Sequence, residues 1–275
     1  MKFIAELCQN HNGDMKIIEE MVERASKAGA HFCKIQTILA RDLIYWKHHE
    51  EFRPYEAEYQ RLKSLELSFE DEQQFIEICK KWDVKPMTTI FNHRHPKRFN
   101  NLGYEYLKIS GYKMKDIYKQ IKEFNFKHLY FSTSSLTFFD IKKIVKFLQL
   151  NNIKFTMLNC TCVYPTSLDK LNLQNIPFYK KEFNLDNVGL SDHSNPYEDN
   201  LLSSKLAIFQ GIDVLERHFT ILDKDETRDG KVSVTPEMIV ELINFSKLSK
   251  INQYKEINKF NEKQVFNHSY YSTRF

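Results

Sequence analysis

Glycine is scarce in this chain, with seven in 275 residues, and no G-x-G-x-x-G follows the first strand-like run. An open, doubly wound sheet that binds a dinucleotide depends on that turn, so this architecture becomes the runner-up. No apolar run approaches the ~20 residues of a transmembrane helix. The opening "MKFIAELC" lacks the layout of a signal peptide, so a soluble, cytoplasmic protein with no membrane partner is expected. Neither charge sign dominates: 40 Lys and Arg stand against 36 Asp and Glu, a formal net charge of +4. That surplus does not point to nucleic acid, and the most basic stretch, "KKIVKFLQLNNIK", reads as a solvated helix face. The five cysteines, Cys8, Cys33, Cys79, Cys160 and Cys162, are odd in number and irregularly spaced. They form no disulfide framework and read as reduced thiols. "CTC" at 160–162 lacks the two-residue gap of a zinc or redox pair.

What is present is a repeated alternation. Short apolar, often β-branched runs occur at 2–8, 31–37, 84–90, 104–110, 128–133, 155–163, 187–192 and 214–220. Between them lie stretches of helical period. "MKIIEEMVERASKAGA" puts Ile17, Ile18, Met21, Val22 and Ala25 on one face and ends at Gly29; "SFEDEQQFIEICKKW" opens on the capping residue Ser68. "FDIKKIVKFLQL" and "NLLSSKLAIFQ" follow the same rule. Eight strands alternating with helices, and no linker, predict a single-domain α/β fold: a (β/α)8 TIM barrel over residues 1–250 with a tail at 251–275.

A barrel of this kind carries its chemistry where the strands end. Here those ends read "QNHNGD", "KIQT", "TTIFN", "KISGYK", "STSS", "TCVYPT", "SDHS" and "ERHFT". Strand alternation puts Lys34 with Gln36, Lys108 with Ser110, Ser191 with His193, and Glu216 with His218 and Thr220 on shared sides. Lys34 and Lys108 with Thr89, Ser132, Thr133 and Ser191 form either an anion cradle for phosphate and carboxylate or two lysines that snorkel to solvent. His193 and His218 form either half of a divalent metal site or a hydrogen-bonded pair. "QNHNGD" also supplies a helix cap at Asn12 or Asp14.

The segments "AELCQNHNGD", "AGAHFCKIQT", "LKIS", "FSTSS", "CTCVYPT", "VGLSDHS" and "LERHFT…RDGKVSVTP" stand in the order and spacing of the sialic acid synthase family, which includes N-acetylneuraminate, legionaminate and pseudaminate synthases. The resemblance covers residues 2–240. It implies a (β/α)8 barrel transferase that condenses phosphoenolpyruvate with an amino-sugar aldehyde and releases phosphate, in surface polysaccharide or glycan biosynthesis. It also implies metal ligation by His193 and His218, with Mn2+ or Mg2+, and phosphoenolpyruvate contacts from Lys34, Thr89, Lys108, Ser132, Tyr164 and Ser191. Gln36 and Asp229 match acceptor contacts, and Glu6 matches an acidic active-site residue. A homodimer is the assembly expected.

The chain departs from the family in places. Relatives close the fourth strand with Lys-Ile-x-Ser-x-Glu; here Gly111 takes the serine position, with Ser110 as its substitute, and Lys113 takes that of the glutamate. Lys113 is therefore assigned to the acceptor side, where it suits an acidic or phosphorylated acceptor. Cys162 stands for the asparagine or serine two before "YP", and Ser134 for the glycine after "ST". The chain stops near where relatives begin an antifreeze-like domain, and Arg274 is the stand-in for that domain's arginine. The aromatic-rich segment 40–66 is long for a barrel loop, with His48, His49 and Arg53 as further pocket candidates. Two other readings stay open. One is a synthase resembling those of octulosonate or heptulosonate phosphate, and the other is a barrel that binds without catalysis.

Overall fold

A computed structural model describes residues 1–259; Arg274 and the side chain of His49 lie outside the described residues. Eight parallel strands pair in chain order: β1 (Lys2–Cys8), β2 (Phe32–Gln36), β3 (Lys85–Ile90), β4 (Tyr106–Ile109), β5 (His128–Ser132), β6 (Phe155–Cys160), β7 (Val188–Asp192) and β8 (Val214–Phe219). β8 returns to pair with β1, so the sheet closes into the expected barrel. Every expected run contains a strand. The sixth ends three residues early, where the Thr161 hydroxyl donates to the Lys170 carbonyl at 2.7 Å and draws the chain off the sheet. A two-residue addition, β9 (Ser233–Val234), extends the pairing beside β8.

The helices form the outer ring: α1 (Met15–Lys27), α2 (Tyr55–Leu65), α3 (Phe69–Lys81), α4 (Pro96–Leu102), α5 (Gly111–Ile117), α6 (Phe138–Leu150), α7 (Asn175–Glu182), α8 (Pro196–Asp199), α9 (Leu202–Phe209) and α10 (Pro236–Lys247). Their starts follow local chemistry. Asp14 caps α1, and Ser68 with Asp71, and Thr137 with Asp140, close capping boxes on α3 and α6. The buried face of α1 is Ile18, Met21, Val22 and Ala25, as its period dictates. Lys250 and Gln253 anchor the helical residues after α10 to the carbonyls of Phe209 and Phe245. None of the described helices is long and apolar enough to cross a membrane.

The strand period of two builds the interior in layers. Ile4, Phe32, Met87, Tyr130, Leu158 and Val214 plug one end of the barrel, with Tyr106 against them. Two residues further along the same strands stand Glu6, Lys34, Thr89, Ser132, Cys160, Glu216 and Lys108. Burying each large apolar plug residue contributes about 1.5–3 kcal/mol, enough to support a polar layer above. Gly189 is required where β7 faces this plug, because a Cβ there would lie 2.5 Å from the Val214 carbonyl and 2.6 Å from Leu158 Cδ2.

The opposite faces of the strands meet the helices. Arg217, fully buried between its inward neighbours, turns outward and donates from Nη1 to Asp192 Oδ2 at 2.5 Å and to Ser194 Oγ at 2.8 Å. Its Nη2 donates to the carbonyls of Ser194 and Val232. Ser204 of α9 closes the group by donating to Asp192 at 2.6 Å. Glu72 of α3 plays the same part elsewhere, accepting from Thr37, Arg98 and Tyr104. Segment 40–66 folds into two short 3-10 turns and α2, and Arg61 of α2 donates to Gln9 just past β1 at 2.5 Å, placing α2 over the first rim loop.

Candidate active site

The question of two lysines in core strands is answered by carboxylates. Lys34 on β2 is fully buried, ion-paired with Glu6 of β1 and 3.7 Å from Glu216 of β8; its Nζ also donates to Thr89 Oγ1 at 2.8 Å. Lys108 on β4 is ion-paired with Glu216 Oε1, which also accepts from Ser191 Oγ at 2.8 Å. Two ammoniums thus face two carboxylates, and the buried layer is formally neutral. Burial alone would raise the Glu216 carboxyl pKa, but Lys108 and Lys34 outweigh it and hold that group below the usual carboxylate range. Burial pushes the Lys34 amine down, and the Glu216 charge opposes that fall. In the sequence Glu216 stands on the inward face of its strand with no role attached. Its alternation with His218 was the available signal; its contact with both lysines joins residues of three strands.

Above this layer sit the histidines, their rings 5.1 Å apart and nearly perpendicular. His193 Nε2 accepts from Tyr164 Oη at 3.1 Å, and its Nδ1 donates to the Thr161 carbonyl at 3.3 Å, with Cys160 Sγ 3.8 Å away. Burial, with His218 and Lys108 as neighbours, pushes its pKa down to about 3, so His193 is neutral. His218 differs. It is 6% exposed, and its Nδ1 has no hydrogen bond, standing 3.7 Å from Asp229 Oδ2, beyond hydrogen-bond reach. Cys8 donates its thiol proton to the same Asp229 oxygen at 2.8 Å and accepts from Gln36 Nε2 at 3.1 Å. The ligand atoms of Cys8, His218 and Asp229 all lie within 4.8 Å of one another. Burial raises the Asp229 carboxyl, and the His218 and Cys8 contacts more than reverse it.

The remaining expected residues divide. Ser132 Oγ accepts from the Gly111 backbone N at 2.9 Å, binding the start of α5 to the rim. A serine could not replace Gly111: a Cβ there would lie 2.1 Å from the Ser134 carbonyl. Ser110 precedes α5 with its hydroxyl buried. Tyr164 is half-exposed at the mouth. Lys113 stands apart on α5, half-buried, with its Nζ 5.4 Å over the Tyr112 ring. His48 and Arg53 are exposed.

A closed parallel barrel with ionisable side chains gathered at the carboxyl ends of its strands has the architecture of a barrel enzyme. The family model of the NeuB family matches residues 21–256. The N,N'-diacetyllegionaminic acid synthase of Campylobacter jejuni is 30% identical over 247 residues, covering 85% of this chain and 72% of its own length. A pseudaminic acid synthase of the same species is 29% identical over 242 residues, covering 84% of this chain and 68% of its own. The N-acetylneuraminic acid synthetase of Leptospira borgpetersenii shares the fold with a TM-score of 0.77 at 22% identity, over 94% of this chain and 84% of that one. The chain belongs to the NeuB family.

Proposed function

We propose that the protein is a transferase of the nonulosonic-acid-synthase type that condenses phosphoenolpyruvate with a sugar aldehyde and releases phosphate. The observation that carries this reading is the mouth itself. Two buried ammoniums and the Thr89, Ser132 and Ser191 hydroxyls lie beneath two histidines. Lys34 and Lys108 hold the phosphate and carboxylate of phosphoenolpyruvate, with the hydroxyls and Tyr164 fixing their orientation. Glu6 and Glu216 hold both lysines in place. Gln36 and Asp229, toward the rim, contact the acceptor, and Lys113 bears on it from α5.

The donor set fits a divalent cation, because an imidazole nitrogen buried without a hydrogen bond, as in His218, is free to serve as a metal ligand. His218 would be a ligand of that cation, which when bound would supply polarisation of the acceptor aldehyde. In the reaction, the C2–C3 π electrons of phosphoenolpyruvate form the bond to the aldehyde carbon, and the aldehyde oxygen takes a proton. Water then adds at C2 and loses a proton, for which Glu6 is the nearby acceptor. The tetrahedral intermediate expels inorganic phosphate and leaves a ketone.

Phosphate release tests this reading, with phosphoenolpyruvate, manganese and a panel of 2-acylamino and phosphorylated aldoses. Release with an acylamino aldose is expected. Fastest release with phosphorylated aldoses lacking the acylamino group would instead favour a synthase of the octulosonate or heptulosonate type. No release with any aldose, alongside ligand binding by calorimetry, would make the barrel a binding module.

A further inference from the structure

We propose that the Cys8 thiolate is a metal ligand in this protein, completing with His218 and Asp229 a sulfur–nitrogen–oxygen site that selects Zn2+, Co2+ or Fe2+ over Mg2+ and Mn2+. The proposal rests on the synthase reading for the purpose of the metal, and it differs from the two-histidine, hard-metal site that the sequence suggests.

Four observations converge. The three ligand atoms lie within 4.8 Å of one another, although Cys8 and Asp229 are 221 residues apart in sequence. His218 is more than nine-tenths buried, and its Nδ1 faces Asp229 at 3.7 Å without a hydrogen bond, so it is a free donor aimed into the cluster. Cys8 is itself 4% exposed and held on two sides, by Asp229 and by Gln36, so its sulfur has a fixed address. It also sits at a break in the strand register with φ at +50°, a conformation side chains other than glycine rarely adopt. The Cys8 backbone N donates to Glu6 Oε1 at 2.8 Å, which ties that break to the charged layer below. His193 stays outside the set, because both of its ring nitrogens are already hydrogen-bonded.

On binding, the Sγ–H that now points at Asp229 is replaced by an Sγ–metal bond, and its proton leaves to solvent. A thiolate brings softness that carboxylate and imidazole lack, and this shifts preference toward borderline metals.

The test uses the full chain and Co2+ alone as the probe. Wild type should show the near-ultraviolet thiolate-to-cobalt charge-transfer band. Cys8→Ser and Cys8→Gly should lose it and bind Co2+ at least about tenfold more weakly. The ratio of Zn2+ to Mn2+ affinity should contract by a similar factor. Cys8→Gly relaxes the positive φ, so it remains folded and keeps the comparison valid if the serine variant does not. A wild-type complex without the band, or a band that survives in Cys8→Ser, overturns the proposal. His218→Ala separates the two levels. If it weakens Co2+ binding while both Cys8 variants do not, only the thiolate ligand is wrong. If none of the three variants changes binding, the mouth holds no metal, and that part of the functional reading falls as well.

Discussion

Consecutive residues of β8 face two different worlds. Arg217 looks outward into a group in which Asp192, Ser194, Ser204 and the Val232 carbonyl satisfy all its donors but Nε. Glu216 and His218 look inward, and each leaves a buried atom unsatisfied: Oε2 of the carboxylate and Nδ1 of the imidazole. Both regions are buried and charged, so burial and charge do not distinguish structure from function here. The difference is one of degree: Arg217 spends every donor but Nε within its group, whereas His218 Nδ1 and Glu216 Oε2 make no hydrogen bond at all. A network that exists to join a strand to a helix spends its hydrogen bonds internally, whereas a mouth that receives a ligand keeps some in reserve.

Substituting each of the two neighbours on β8 should give opposite outcomes. His218→Ala should lower phosphate release by about a thousandfold, the several kcal/mol expected of a lost electrophilic centre, with little change in melting temperature. Arg217→Met should do the reverse. It leaves Asp192 buried and unpaired at a cost of about 3–5 kcal/mol in denaturant unfolding, while turnover per folded molecule holds. A melting temperature that collapses in the first variant, or turnover that collapses in the second without loss of stability, would erase the distinction.

Acid titration sharpens it at a smaller scale. Burial pushes His11 and His128 down to a pKa of about 4. The unfolded chain binds these protons first, near pH 6.5, so stability is complete above that pH and declines as pH falls toward about 4. Glu216, held below the usual carboxylate range, contributes its loss only at still lower pH. Urea midpoints followed between pH 7 and 4 should fall, and His11→Asn should flatten the slope by up to one proton. An unchanged slope in the variant would remove His11 from the account.

The smallest effect is expected at Lys113. Its half-buried place on α5, apart from the ionic layer, limits a charge reversal to roughly fivefold or less. Lys113→Glu should shift turnover away from acidic or phosphorylated acceptors. Best turnover with neutral N-acetylmannosamine, unimpaired by Lys113→Glu, would take this lysine out of acceptor recognition.

The barrel is written in local patterns of the chain. Its eight β-branched runs, the helical period between them and the capping residues Ser68 and Asp14 are local signals, readable because strand and helix periods depend on neighbours a few residues away. The same period of two placed Lys34, Lys108, Glu216 and His218 on the inward face. What each inward group meets depends on how the barrel closes. That Glu6 answers Lys34, that Glu216 serves both lysines, and that the Cys8 thiol stands against Asp229 are contacts between distant parts of the chain. From sequence, Cys8 read as one more reduced thiol in an apolar run. Ring closure carries its strand end to the residues after β8, and no local pattern encodes a distance set by the far side of a barrel.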